Sequence, residues 1–97
     1  MSSDEKLIKI LKALSSSPRL EILDYLKHGA ASPIEVARDL KRNPSTIEQH
    51  LKILFEAEVI RKNVNDKKHI TYSSRKEGLD LLEIIRKFIN DNQLEVV

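Results

Sequence analysis

Two sharply marked helix starts stand close together in the middle of the chain, and they limit what the rest can become. Ser32-Pro33-Ile34-Glu35 combines a capping serine, a proline at the first helical position and a glutamate placed to reach back to the serine N–H. Asn43-Pro44 repeats the device with an asparagine cap. Proline lacks an N–H and clashes inside a helix, so the first helix must close before Pro44. Only about three residues, 41–43, remain for the turn between them. A helix as short as the first is unstable alone, so the two must pack on each other and on further elements.

Helical patterns flank this pair. Leu7, Ile10, Leu11 and Leu14 recur at the spacing of one apolar helix face that begins near Ser3. Ser15-Ser16-Ser17-Pro18 interrupts it, and the spacing predicts a second helix capped by Ser17 with Pro18 first, lined by Leu20, Leu23 and Leu26. His28-Gly29 closes that helix. In the central pair, Ile34, Ala37 and Leu40 are expected inward on the shorter helix, and Ile47, Leu51, Leu54 and Phe55 on the longer. A third helix before two joined by a tight turn is a tri-helical helix-turn-helix.

Beyond Ala57 the period changes. Segments 59–64 and 69–73 are rich in β-branched residues, with Ile60 and Val64 alternating on one and Ile70 and Tyr72 on the other. The polar run 65–68 between them makes a β-hairpin, since Asn and Asp accept turn conformations without glycine. Ser74 and Glu77 have the spacing of a capping box for a last helix running to about Asn92. In 79–89 seven of eleven residues are apolar, wider than a one-sided surface helix needs. The tail 93–97 is too short to carry an element.

Charge is concentrated rather than large. The net charge is +2, yet 61–76 holds six cations (Arg61, Lys62, Lys67, Lys68, Arg75, Lys76) against Asp66 alone. A cluster of that density suits a polyanion, although a solvated loop is the plainer explanation for most charge clusters. With 97 residues the chain has the size of one domain spanning 1–97. Cysteine is absent, which excludes disulfides, thiolate metal sites and thiol catalysis. Two glycines leave no glycine-rich phosphate cradle, and neither G-x-S-x-G nor H-E-x-x-H occurs, so an enzyme is the least supported class. No apolar run approaches the roughly 20 residues of a spanning helix, and MSSDEKLIKI is too charged for a secretory signal, so a cytoplasmic address without membrane contact is expected.

Taken in order, these elements give a mainly α fold with a small β-hairpin, the order of a winged helix-turn-helix. The stretch 45–60, STIEQHLKILFEAEVI, resembles the reading-helix signature of the ArsR-like transcriptional regulators. Ser45, Thr46, Ile47, His50, Leu51, Leu54, Glu56 and Ala57 stand where that signature wants them. Segment 17–23, SPRLEIL, is similar to the family's second helix, and Tyr72 matches its second wing strand, so the resemblance spans roughly 6–90. It implies DNA binding, homodimers and no catalysis. The chain departs from the family at several points. The cysteine metal site has no counterpart, and the last helix offers Asp80 and Glu83 but no histidine. His28, His50 and His69 are scattered, so neither metal nor other cofactor is expected. Arg42 replaces a small apolar residue in the turn, the wing lacks its usual glycine, and Glu58 replaces the glycine that closes the reading helix. A helix end built differently is expected there, because a non-glycine residue in the left-handed region costs about 1 kcal/mol.

Candidate DNA contacts follow from chemistry and position. Ser45, Thr46, Gln49 and Lys52 form the polar outer face of the reading helix, where Gln bonds adenine bidentately and Ser or Thr read tolerantly. Capping is the competing role for Ser45 and Thr46. Glu48 accepts from cytosine or compensates the helix dipole. His50 is a packed or phosphate-bonding residue, and Arg61, Lys67 and Lys68 supply wing contacts to backbone or minor groove. The surplus apolar residues of the terminal helices, 4–14 and 75–92, predict a homodimer through Leu7, Leu11, Leu82, Ile85 and Ile89, against a thicker monomer core. Two rival functions share the fold. A winged-helix protein-interaction module would expose apolar residues on the reading face, and a DNA-coating protein would keep the basic wing but show little sequence preference.

Overall fold

The computed structural model describes residues 2–92. In chain order the elements are α1 (Ser3–Leu14), α2 (Ser17–Leu26), α3 (Pro33–Leu40), α4 (Pro44–Glu56), β1 (Ile60–Val64), β2 (Ile70–Ser74) and α5 (Lys76–Asp91). This is the mainly α, winged helix-turn-helix order expected from the sequence. The tail 93–97 lies outside the described residues.

Both proline-led starts form as the residue types dictate. The Ser32 Oγ accepts from Glu35 N at 3.2 Å, and Ser32 N donates to Glu35 Oε1 at 3.0 Å, completing the capping box. Asn43 Oδ1 accepts from Ser45 N at 2.8 Å and Thr46 N at 3.4 Å. Between them α3 closes on Lys41, which takes φ 55°, so that Arg42 N donates to Ala37 O at 2.9 Å. The chain then turns into α4 within the three residues available.

The core lies where α2, α3 and α4 meet. Ile22, Val36, Ile47, Leu51 and Leu54 are all 0% exposed, with Leu23, Leu26 and Ile60 scarcely more. Each large aliphatic side chain buried this way contributes about 1.5–3 kcal/mol relative to solvent. The α1 helix adds only Ala13, Leu14 and the half-buried Ile10, and α5 adds Leu82 and Leu81.

Several local expectations are corrected. Ser16, not Ser17, caps α2 through a 3.4 Å bond from Arg19 N, and Pro18 occupies the second helical position. The first four helical N–H groups lack internal acceptors, so proline fits either place. Ile34 is 72% exposed, and Val36, Ala37 and Leu40 form the inner face of α3. At 3.6 residues per turn Ile34 lies about 110° from the centre of that stripe, and so short a helix has no further turn to decide between stripes by period alone. Phe55 is 42% exposed at the edge of α4, with Lys62 Nζ 6.0 Å from its ring centre.

The hairpin runs antiparallel from Ile60↔Ser74 to Val64↔Ile70; the first strand starts one residue later than expected and ends at Val64 as expected, and the second is shifted by one residue. Its alternation is buried only at the base, at Ile60 and, partly, Tyr72; Val64 is exposed, and Ile70 lines a trough with Pro33 and Glu48 rather than the core. Tyr72 is held instead by a two-bond bridge to Ala31, at 2.9 and 2.8 Å, just before the Ser32 cap. The Ser74–Glu77 capping box does not form. Ser74 is paired to Ile60 in the strand, its Oγ is buried without a hydrogen-bond partner, and Arg75 takes the cap position with no side-chain cap bond. Glu77 instead lies 3.7 Å from Arg75 Nε.

The close of α4 is also corrected, because it is built as a glycine would build it. Glu58 takes φ 63°, Glu58 N donates to Phe55 O at 2.9 Å, and Val59 N donates to Leu54 O at 3.2 Å. Gly78 lets the start of α5 close against this junction, where an added Cβ would stand 2.7 Å from the Val59 carbonyl oxygen. Two opposite effects on stability follow, both measurable by urea unfolding. Glu58→Gly relieves the left-handed strain and should stabilise by about 0.5–1 kcal/mol. Gly78→Ala must displace α5 and should destabilise by roughly 1–3 kcal/mol.

Candidate nucleic-acid interface

Burial of Ile47, Leu51 and Leu54 fixes which side of α4 faces outward. Ser45, Thr46, Glu48, Gln49 and Lys52 are all exposed on it. Because Asn43 supplies the cap oxygen, the competing capping role is already filled, and among the described residues no hydrogen bond engages the Ser45 or Thr46 hydroxyl. Lys52 approaches Glu56 at 3.9 Å, an exposed pair that leaves its ammonium accessible. Glu48 stands in a trough between α4 and the hairpin, lined also by Pro33, Phe55, Ile70 and Tyr72. Burial first, and then the Glu48 charge, raise the Tyr72 hydroxyl above its ordinary pKa.

The basic residues of the hairpin are not all brought together. Lys67 and Lys68 sit at the tip, where Asn65 replaces the missing glycine. Its Oδ1 accepts from Lys67 N and His69 N, both at 2.9 Å, and Lys68 takes φ 62°. Arg61 lies at the other end of β1, next to buried Ile60. Among the described residues none of these three cations makes an ion pair, so their charge is free for an anionic partner.

His50 is turned toward the protein. Its Nδ1 lies 3.1 Å from Arg19 Nη1, a contact across 31 positions that no sequence pattern reveals. Burial, then the charges of Arg19 and Arg42, hold its pKa below the ordinary 6.5. Arg42 itself pairs with Glu21 at 2.9 Å and ties the helix-turn-helix turn to α2, which accounts for a cation where the resemblance wants a small apolar residue.

The terminal helices present a second face. Leu7, Ile8 and Leu11 of α1 are each more than half exposed, and Ile84, Ile85 and Phe88 of α5 are also exposed. Ile89 is partly covered. Leu82 is corrected from interface to core, since its own chain leaves it 5% exposed. Ile84 and Phe88 are the apolar residues of α5 left exposed in its place, readable in the sequence only as part of the wide apolar stripe. Arg86, within 3.2 Å of Asp24, holds α5 to α2.

No set of three or more His, Cys, Asp or Glu side chains among the described residues is arranged to hold a metal ion, and the sequence contains no cysteine. The residues therefore do not fit a thiolate-bound ion. No helix among the described residues is long and apolar enough to cross a membrane.

Comparison with known proteins agrees with this architecture. The sequence profile described as "Bacterial regulatory protein, arsR family" matches residues 16–62. Over 91% of its length the chain is 33% identical to an arsenical resistance operon repressor of Staphylococcus xylosus, 84% of which is covered. The chain belongs to the ArsR family. This ArsR-family chain superposes on Rv0081 of Mycobacterium tuberculosis with a TM-score of 0.77 and 25% identity, covering 96% of this chain and 95% of that one. It superposes on the homodimeric winged helix-turn-helix DNA-binding domain Mb0332 of Mycobacterium bovis with a TM-score of 0.76 and 23% identity, covering 94% and 83%. Fold and family are those of DNA-binding transcriptional regulators, which are not enzymes.

A pH dependence follows from His50. A base with a depressed folded pKa binds fewer protons folded than unfolded, so its stabilisation is complete above the unfolded value near 6.5. It is lost as pH falls from there to the folded value. Glu35, held low chiefly by the Ser32 N–H, and Asp39, held low chiefly by Arg38, titrate below 4.5 and 3.8, outside this window. Urea midpoints should therefore decline between about pH 7 and pH 5.5. His50→Gln should flatten that decline, and an unchanged slope in the variant would assign it to another group.

Proposed function

We propose that this chain is a homodimeric, sequence-specific binder of double-stranded DNA acting as a cytoplasmic transcriptional regulator. The reading helix α4 enters the major groove, and the wing lies on the backbone or in the minor groove. One observation carries this reading. From Ser45 to Lys52 every exposed side chain of α4 is polar, while the hairpin tip beyond it carries two unpaired lysines. A protein-interaction module would place its exposed apolar side chains on that stretch of α4. Here none lies between Ser45 and Lys52; exposed large apolar side chains occur singly in sequence at Ile34, Ile53, Phe55, Val64 and Ile70 and recur along α1 and α5, which supports a surface for a second copy on the terminal helices.

In this reading Gln49 is the base reader, Ser45 and Thr46 are tolerant readers, and Lys52, Arg61, Lys67 and Lys68 serve the backbone, while His50, held by Arg19, takes the packed role rather than the phosphate-bonding one. Leu7, Leu11, Ile85 and Ile89, joined by Ile84 and Phe88, form the two-fold interface. The single domain of 1–97 thus divides its labour, with the middle on DNA and the ends on the second copy. Neither metal nor cofactor takes part, so chelators and added Zn²⁺ should leave DNA affinity unchanged.

Selection from a random duplex pool tests specificity directly, and an enriched palindrome is the expected result. Mutants then separate the roles. Lys67→Ala or Lys68→Ala should weaken all duplexes alike and lower the salt slope by roughly one unit per lost phosphate contact, doubled in a symmetric dimer. Gln49→Ala should cost on the order of 1–3 kcal/mol on the selected site and little on random DNA. Equal losses on both duplexes for all variants would favour a DNA-coating protein. No loss for any would favour the interaction module. Leu11→Glu with Phe88→Glu should convert a species of two 11.2 kDa chains to one chain that binds DNA weakly, read by light scattering.

A further inference from the structure

Arg19, in the first turn of α2, uses its guanidinium in three directions. Nε donates to the Ala13 carbonyl at 2.6 Å, Nη2 donates to the Lys12 carbonyl at 3.0 Å, and Nη1 meets His50 Nδ1 at 3.1 Å. The two carbonyls belong to the last turn of α1, whose C=O groups look outside the helix for partners; that of Lys12 also accepts from Ser15 Oγ at 3.0 Å. The histidine stands midway along the reading helix. A guanidinium is a rigid planar fork with donors only. His50 Nδ1 must therefore be the acceptor, which puts the proton of the neutral ring on Nε2.

We infer that Arg19 is a positioning residue for DNA reading, fixing the rotation of α4 against α1 through the Nε2–H tautomer of His50. The inference rests on the DNA-binding reading above. The inner face of α4 is aliphatic, and a row of Ile and Leu side chains fixes depth better than rotation, because packing alone is not directional. The hydrogen bond supplies the direction. Among the described residues the other polar ties from the helix-turn-helix to the first two helices are Arg42 to Glu21, in the turn, and Tyr25 to Asp39, on α3, and neither lies along α4. Burial decides which side of α4 faces outward, and the fine rotation of Ser45, Gln49 and Lys52 within that side is set by one bond at mid-helix.

The groups around His50 make that bond sensitive to protonation. From α2 comes the Arg19 guanidinium, from the helix-turn-helix turn comes Arg42 with its partner Glu21, and from α1 come the two carbonyls already taken by Arg19. Protonated Nδ1 would oppose a donor to a donor beside two cations. The tie breaks, although the added charge itself attracts DNA. The quantity that reports the tie is therefore the ratio of affinities for selected and random duplexes, in which simple phosphate attraction cancels.

The test compares the full chain with His50→Gln, which keeps an acceptor that does not titrate, with His50→Leu, which removes the acceptor while leaving Arg19 on α1, and with Arg19→Met. The affinity ratio is measured at about pH 7.5 and about pH 5.5, on either side of the ordinary histidine range. As the ring protonates below its depressed folded pKa, the wild-type ratio should approach a fall of about fivefold, the worth of one lost directional hydrogen bond, with the titration carried below about pH 5.5 until the ring is charged. His50→Gln should hold the wild-type ratio at both pH values, and His50→Leu and Arg19→Met should show the lowered ratio at both. Ring ¹⁵N shifts of His50, recorded without DNA, should report Nε2–H in the wild type and loss of that preference in Arg19→Met. An Nδ1–H ring in the wild type, or a full ratio in His50→Leu, overturns the inference. A wild type that binds no duplex at either pH overturns the DNA reading instead, and the ring tautomer then decides on the Arg19–His50 tie by itself.

Discussion

The outward aim of α4 depends on the burial of its inward face. Ile47, Leu51 and Leu54 are completely covered by α2, α3 and the base of the hairpin. A thirteen-residue helix of this composition is marginal alone, so its helicity is supplied by that packing. The same burial that makes α4 a helix leaves Ser45, Gln49 and Lys52 in water. Stability and presentation are one event here, and the side chains of Ser45, Gln49 and Lys52 bury nothing in the core. Their residue types are free to answer to a ligand.

The scarcity of glycine shapes the remaining geometry. Three turns need a left-handed residue, and Lys41, Glu58 and Lys68 take those places. Each substitute is charged and exposed, so the backbone strain is the same as for any other L-residue while the side chain stays solvated. Asn65 eases the hairpin tip further by accepting from two backbone amides. At Gly78, where backbone meets backbone, no such exchange was open, because a Cβ would collide with the Val59 carbonyl oxygen.

The fold was readable from the sequence wherever a local rule had a single physical solution. The Ser32–Glu35 box, the Asn43 cap and the break at 15–18 mark helix ends by chemistry that acts within a few residues. Errors arose where the outcome depended on distant packing. Period alone did not tell whether Ile34 or Val36 faces inward, and a favourable spacing at Ser74 and Glu77 was overridden because strand pairing claimed Ser74 first. The outward residues of the reading helix were legible because they are the complement of the buried ones. The Arg19–His50 contact was not, since 31 residues separate the two and neither type announces its partner. Leu82 shows the same limit in a wide apolar stripe, where composition says how much is covered but not by which neighbour.

The hairpin is fixed to the body mainly at its root, by Ile60 in the core, by Tyr72 packed against it and by the pair of bonds between Ala31 and Tyr72. Mechanically it is a cantilever, clamped at the root and loaded at its free end. Its beam is two strands thick, which makes bending perpendicular to the sheet soft and bending within the sheet stiff. Groove width varies from one duplex sequence to another. In a DNA complex the tip would follow that variation by flexing, while the root stays in register with the start of α3. The compliance of one element thereby leaves the other rigid. On the proposed reading, a helix clamped on several sides would compare base edges at constant geometry, and the hairpin would absorb the irregularity of the backbone.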